Sequence, residues 1–337
     1  MSPAAASAAG GGPAAGAYRA AHEEAVLVDR PDLAALRLEG KDALDLLHRL
    51  TTNDVKGLAE GMGAATVFTS AKGRIVALAT LHRLKGWLHL LCDAAHAGTI
   101  RDWIDRYTFR EEVRVEDRSA SHATLLVTGP RSEGIVARAF PSAAGLPRHG
   151  VVQVDLDGEA GLLVRTFPVA SDAWLLTVPG AFAASARARL LAAGAGRLMT
   201  APLEVFEALR IEAGLPAAGK EMTEDHNPWE ARLDDAISLS KGCYVGQEVI
   251  ARLNTYRKVA RLLVRLEAEG GPFPEGAEIA ADSLTIGRVT SSAALPDGSG
   301  RSLSLGYVRD EDAIAGKPVT VTTPGGPRPA VVAGPAR

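Results

Sequence analysis

The disappearance of the helical pattern after Tyr256 restricts the fold more than any other feature of this sequence. Beyond it, apolar residues come only in short runs, at 261–266, 286–290, 302–308 and 319–322, separated by turns rich in Gly and Pro. Short strands at such spacing predict a small, closed or nearly closed antiparallel barrel. Before Tyr256, strand and helix patterns alternate irregularly, which predicts α+β domains rather than a doubly wound parallel sheet. The boundary falls near 253–258, so the expected division is an α+β region at 18–255, in two subdomains, and a barrel at 256–331. Residues 1–17, rich in Ala and Gly, read as a flexible tail.

In the first region, residues 23–29 and 33–38 read as strands split by Pro31. Residues 42–50 set Leu44, Leu47 and His48 at helical spacing, so one face packs while Asp45 and Arg49 stay wet. Thr51, Thr52, Asn53 and Asp54 follow, and their side chains compete for backbone hydrogen bonds and favour a loop. The runs 65–69 and 74–81 flank Lys72-Gly73 and predict a hairpin. A strand at 87–92 and a helix at 94–107 come next. Later strands are expected at 151–154, 161–165 and 174–178, and helices at 182–193 and 202–211.

Bulk composition excludes several functions. With 337 residues, 47% of them apolar, the chain can bury two or three cores. Thirty-seven Lys and Arg against 40 Asp and Glu leave a net charge of −3, which draws in neither nucleic acid nor an anionic membrane. No apolar run reaches the roughly 18 residues of a membrane span. Two cysteines far apart give no disulfide framework, so a cytoplasmic protein is expected. P-loop, GxGxxG, HExxH and CxxC patterns are absent, and the scattered histidines show no metal-ligand spacing, so no intrinsic metal is predicted. His82 and His89 read as surface or satisfied core residues.

The richest segment is Lys241-Gly242-Cys243-Tyr244-Val245-Gly246-Gln247-Glu248, a glycine-bracketed loop feeding a helix start. Lys241 lies two residues from the thiol, and a positive field of that kind raises thiolate content. Cys243 is thus either a reactive thiol or iron ligand, or a small buried residue, and local sequence leaves both open. Cys92, in an apolar run, reads as buried and inert. Arg210 and Glu212 sit near the end of a helix that stops at Gly214 and Pro216. Glu212 is either part of a solvated face, the simpler reading, or a carboxylate aimed at a ligand's donors.

The Lys241–Glu248 motif resembles the signature of the YgfZ proteins, relatives of the glycine-cleavage T-protein. The resemblance extends over residues 44–55, 70–75, 209–216 and 287–291, and so over nearly all of 20–330. It implies a GcvT-like folate-binding region of intertwined α+β subdomains around a central cavity, followed by a C-terminal antiparallel β-barrel. It implies tetrahydrofolate or a derivative as cofactor, with Glu212 near the pterin and Arg210, Asn53, Lys72 and Arg74 close by. T-proteins carry an acidic pair where this chain has Ala77-Leu78. YgfZ-like proteins support assembly or repair of [4Fe-4S] clusters in client enzymes, tRNA-methylthiolating radical enzymes among them. That implies an iron-sulfur carrier or client as partner, with Cys243 as a functional thiol or shared cluster ligand. A folate-dependent aminomethyl transferase is the alternative. A monomer that binds no nucleic acid directly is expected.

Overall fold

The computed structural model describes residues 12–256 and 259–336. Its elements run α1 (Pro13–Glu23), β1 (Val26–Asp29), β2 (Leu33–Glu39), α2 (Ala43–Leu50), β3 (Gly63–Thr69), β4 (Ile75–Leu84) and β5 (Trp87–Asp93). Then come α3 (Ala97–Arg106), β6 (Arg114–Asp117), β7 (His122–Thr128), α4 (Ser132–Ala139), β8 (Val151–Leu156), β9 (Glu159–Thr166) and β10 (Ala173–Pro179). They are followed by α5 (Ala183–Gly194), β11 (Met199–Ala201), α6 (Leu203–Glu212) and α7 (Gln247–Tyr256). The last part holds β12 (Arg261–Glu269), β13 (Glu278–Ala281), β14 (Leu284–Ala294), β15 (Arg301–Arg309), β16 (Pro318–Thr323) and β17 (Gly326–Pro335).

The expected tail needs correction, because its end is a packed helix. Helix α1 starts at Pro13, a residue whose fixed φ suits a first turn, and Ala17, Tyr18 and Ala21 are buried. Residues 1–11 of that tail lie outside the described residues. Helix α4 lies between the expected elements and was not predicted.

Two sheets form the first region. One has the order β3-β4-β5-β2-β6 and is antiparallel throughout. The other has the order β11-β1-β7-β10-β9-β8, with β1 and β11 the parallel pair. Consecutive strands β1 and β2 therefore belong to different sheets, which is what intertwines the two subdomains. Helices α2 and α3 cover the outer face of the first sheet through Leu46, Leu47, Ile100 and Ile104. Helices α4 and α5 cover the second through Ile135, Val136 and Leu190, against Trp174. The inner faces meet each other and α6 in a third core that includes Leu91, Leu126, Val164, Val205 and Leu209.

The last six strands close into an antiparallel barrel in the order β12-β15-β14-β13-β16-β17. Inward residues alternate with outward ones, as in β16, where Val319 and Val321 are buried and the threonines face out. The final strand runs to Pro335, past the expected end at 331. The α+β region followed by an antiparallel barrel is thus the architecture the sequence predicted. Among the described residues no helix is long and apolar enough to cross a membrane.

On neighbouring strands of the first sheet, His82 and His89 stand directly opposite each other, 0% and 3% exposed. Burial pushes both imidazoles below their ordinary range, His89 to about 3. They are core residues held neutral.

Candidate functional site

A cavity of about 230 Å³ opens between the two sheets, walled by β4, β5, β7, β10 and α6. Its walls are mostly apolar, from Leu78, Leu91, Leu126 and Leu175. The pleat decides what β4 contributes: Leu78 lines the cavity, while Ala77, fully buried, points the other way into the core under α2. An apolar side chain therefore stands at the cavity position that resemblance to T-proteins assigns to an acid.

The cavity's charged side comes from α6 and the β1–β2 connection. Arg30 grips Asp32 with two hydrogen bonds of 2.8 and 2.6 Å and lies 3.8 Å over the Phe206 ring. Glu207 lines the cavity and is held by Arg210, which donates to it from Nε at 2.8 Å and again from a terminal nitrogen. Lys220 donates to the same carboxylate at 3.0 Å. Burial pushes the Glu207 carboxyl up, but the hydrogen bonds and charges of Arg210 and Lys220 outweigh it and hold the group at about 2. The cavity thus contains a permanent anion at neutral pH.

Arg210, expected to contact the cofactor, reaches the cavity wall with no donor to spare. Its side chain is 3% exposed, and besides Glu207 it donates to Leu215 O, to Glu221 at 3.1 Å and to Ser291 Oγ at 2.6 Å. Those bonds use all five guanidinium N–H groups.

Glu212 lies elsewhere. Its carboxylate accepts from Tyr18 at 2.9 Å and from His22 at 3.0 Å, and lines a separate cleft between α1, α6 and the barrel. That cleft shares no lining residue with the central cavity, because position 212 falls on a different face of α6 from 207 and 210. Asn53 braces its own loop, donating to Ala65 O and Asp235 O. Arg74 donates to Asp225 O and pairs with Glu230 at 3.6 Å, and Lys72 is exposed at the hairpin tip. None of these four residues lines the central cavity.

The Lys241–Glu248 segment forms a second constellation, outside the cavity. Cys243 is exposed, and Gly242 before it has open space where a side chain would sit. Gly246 is the glycine the loop requires: its φ is +84°, and a Cβ there would lie 2.5 Å from Ser70 O. Gln247 and the exposed Glu248 open α7. Lys241 corrects the expected field at the thiol. Its ammonium turns away, into the end of α2, donating to the carbonyls of His48, Thr51 (2.6 Å) and Asn53 (2.8 Å) and lying 5.0 Å from the buried Tyr244 ring. Val245 N adds a bond to Arg49 O. The segment is a staple that satisfies the orphan carbonyls of α2. Burial pushes Lys241 down to about 8 and Tyr244 up to about 12.

Sequence reasoning missed Glu207 and Cys92 as cavity residues. The signal for Glu207 was its place three residues before Arg210, one turn back on the same face. Cys92 is buried as expected, its thiol pushed up to about 12 by burial, with Asp93 and Asp117 adding to the shift, yet it lines the cavity.

Comparison with known proteins agrees with this architecture. The profile of the GCVT N-terminal domain matches residues 13–241. A protein of Arabidopsis thaliana, whose name calls it a chloroplastic transferase and no more, is 32% identical over 300 residues, 88% of this chain and 68% of its own. The aminomethyltransferase of Rubrobacter xylanophilus is 31% identical over 301 residues, 87% of this chain and 78% of its own. The crystal structure of glycine cleavage system aminomethyltransferase T from Bartonella henselae superposes with a TM-score of 0.83 at 22% identity, covering 95% of this chain and 88% of that one. Matched by that profile over more than half of its length, the chain belongs to the GCVT N-terminal domain family and carries the aminomethyltransferase fold.

Proposed function

We propose that this protein binds a reduced folate with the ring end in the central cavity and handles the one-carbon unit that the folate carries. The observation behind the reading is the cavity, whose apolar walls face an ionised Glu207. A flat heterocycle gains from such walls, and an acceptor that stays charged suits the N–H edge of a pterin. The volume of about 230 Å³ falls below the ~300–1,000 Å³ of sites that engulf a whole ligand, so the folate tail would lie outside. Relatives named aminomethyltransferase support a one-carbon transfer. Leu78 argues that the acceptor chemistry differs from glycine cleavage, since a general acid or base typically contributes ~10²–10⁴-fold in rate and none stands at that position. Calorimetry with tetrahydrofolate tests the reading, and absence of binding overturns it. Robust tetrahydrofolate-dependent release of ammonia from an aminomethylated carrier protein would show that another group moves the proton and that glycine-cleavage chemistry survives here.

A second reading has its own support in the exposed thiol of Cys243, presented on a loop that Lys241 pins to α2. In it, the protein is a YgfZ-type accessory factor that assists assembly or repair of [4Fe-4S] clusters in client enzymes, with tRNA-modifying radical enzymes as candidate clients. Thiolates hold cluster iron, so an accessible cysteine suits contact with a carrier or client. Cells lacking the protein should regain [4Fe-4S] enzyme activity from the unaltered chain and not from Cys243→Ser. Full complementation by that variant would sink this reading. For both readings we take the protein as a cytoplasmic monomer, which a fluorescent fusion and light scattering would check.

A further inference from the structure

We infer that the barrel is part of the ligand site, acting through a buried relay that fixes Glu207 in the cavity, with Glu221, Thr290 and Ser291 as positioning residues. The inference rests on the folate reading and goes beyond it, because none of those three residues lines the cavity.

The relay starts in the barrel. Ser291 and Thr290 on β14 each donate a hydroxyl to one oxygen of Glu221, both at 2.6 Å. The other Glu221 oxygen accepts from Ala217 N at 2.8 Å and from Arg210 at 3.1 Å. Tyr307 on β15 donates to the Glu221 backbone carbonyl at 2.7 Å, holding the residue from a third direction. Glu221 is fully buried, so it has no solvent to turn toward. Ser291 Oγ meanwhile accepts from Arg210 at 2.6 Å. Arg210 is therefore fixed at its far end by the barrel, and its near end grips both oxygens of Glu207.

A planar guanidinium has one orientation that satisfies all these partners at once, so the direction of the Glu207 carboxylate is set by residues on the barrel. Glu207 itself is one third exposed, and without the relay only the more exposed Lys220 would hold it, at one oxygen, so a side chain with its rotamer freedom would sample several directions. Oriented acceptors cost a ligand less ordering on binding, which is how a remote residue changes affinity without touching the ligand. The group such a carboxylate selects is one with N–H donors on the edge of a ring, and a ligand fragment lacking that ring has nothing to gain from it.

The test uses the full chain and calorimetric titration of tetrahydrofolate, with p-aminobenzoyl-glutamate as the fragment that lacks the ring. Glu207→Gln is expected to weaken tetrahydrofolate at least about tenfold, and Ser291→Ala several-fold, with any fragment affinity unchanged and the folded state confirmed by its melting transition. Ser291→Thr, which restores a hydroxyl, should recover most of the loss. Glu221→Gln gives a second relay variant if Ser291→Ala melts early. Unaltered protein that binds no tetrahydrofolate removes the folate reading and this inference with it. Binding that Glu207→Gln leaves unchanged, or a Ser291→Ala loss that falls equally on the fragment, removes this inference alone.

Discussion

Among the described residues two cations, Arg210 and Lys241, are buried, and they are held in opposite ways. Arg210 sits between two carboxylates, Glu207 and Glu221, and its guanidinium is held more firmly protonated than usual despite burial. Lys241 sits among three backbone carbonyls with no carboxylate in contact, and burial lowers it to about 8. Both tie remote segments together. The difference is that Arg210 is one member of a charge-balanced set, each of whose members needs the others, whereas Lys241 serves as a donor whose removal strands only dipoles. Charge balance makes the first site a unit, and its absence makes the second a clip.

The sharpest way to break that contrast is to remove each cation in turn. Arg210→Met leaves Glu221 fully buried without its partner, and unfolding by denaturant should show a loss of about 3–5 kcal/mol. A loss under about 1 kcal/mol would mean that Thr290, Ser291 and the Ala217 N–H hold Glu221 without the guanidinium and that the network is not a unit.

Burial without a counter-charge can also be tested at groups that give up their proton. His89 in the native state titrates near 3, against an ordinary value near 6.5, so between those limits the unfolded chain binds more protons. Stability therefore falls as pH drops below about 6.5, by about 3 kcal/mol at pH 4 from this group alone. His89→Gln should flatten that acid limb in thermal unfolding, and an unaltered slope would show that other groups set it.

Lys241→Met strands three carbonyls in place of a charge, for an expected loss of about 1–3 kcal/mol, smaller than at Arg210. An equal or larger loss would erase the distinction. The smallest effect is expected at Cys243→Ser, within about 0.5 kcal/mol, since the side chain is exposed. Native protein should meanwhile alkylate there far faster than at Cys92, and an inert native Cys243 would contradict the exposed loop.

What the sequence revealed follows from where its patterns were unambiguous. Helix α2 has one apolar face, the β3–β4 hairpin has Gly73 with φ +67° at its turn, and the barrel strands alternate, so each was legible. Helix α6 was legible as a helix but not in orientation: Val205, Phe206, Ala208, Leu209, Arg210 and Ile211 are all buried, so its periodicity marks no inward face. Resemblance alone placed Glu212 near the pterin, and the helix's own apolar pattern gave no sign of Glu207. Strands β13 and β17 were missed because the first is four residues long and the second carries two prolines before its apolar stretch. The Lys241 segment announced a shaped loop, yet nothing in its own residues says that the end of α2 comes to meet it. Contacts of that kind exist only in the fold.

The way the sheets end has a consequence for aggregation. A closed barrel offers no free strand edge, and the two open sheets blunt theirs. Strand β6 is short and mostly exposed, with Arg114, Glu116 and Asp117 on it, and β11 is three residues long. At β8, Gly61 O takes the Val151 N–H, and Arg189 takes the Asp155 carbonyl. The vulnerable edge is β3, whose Ala-Ala-Thr-Val-Phe-Thr run is apolar and β-prone. Thr52 covers it, donating its N–H to Val67 O and accepting the Val67 N–H on its hydroxyl oxygen, and Asn53 N donates to Thr66 Oγ1. Two of the carbonyls that Lys241 grips, those of Thr51 and Asn53, belong to this same cover, so loosening the clip would bare the segment best able to template a second chain, and such variants should be lost to precipitation before they are lost to unfolding.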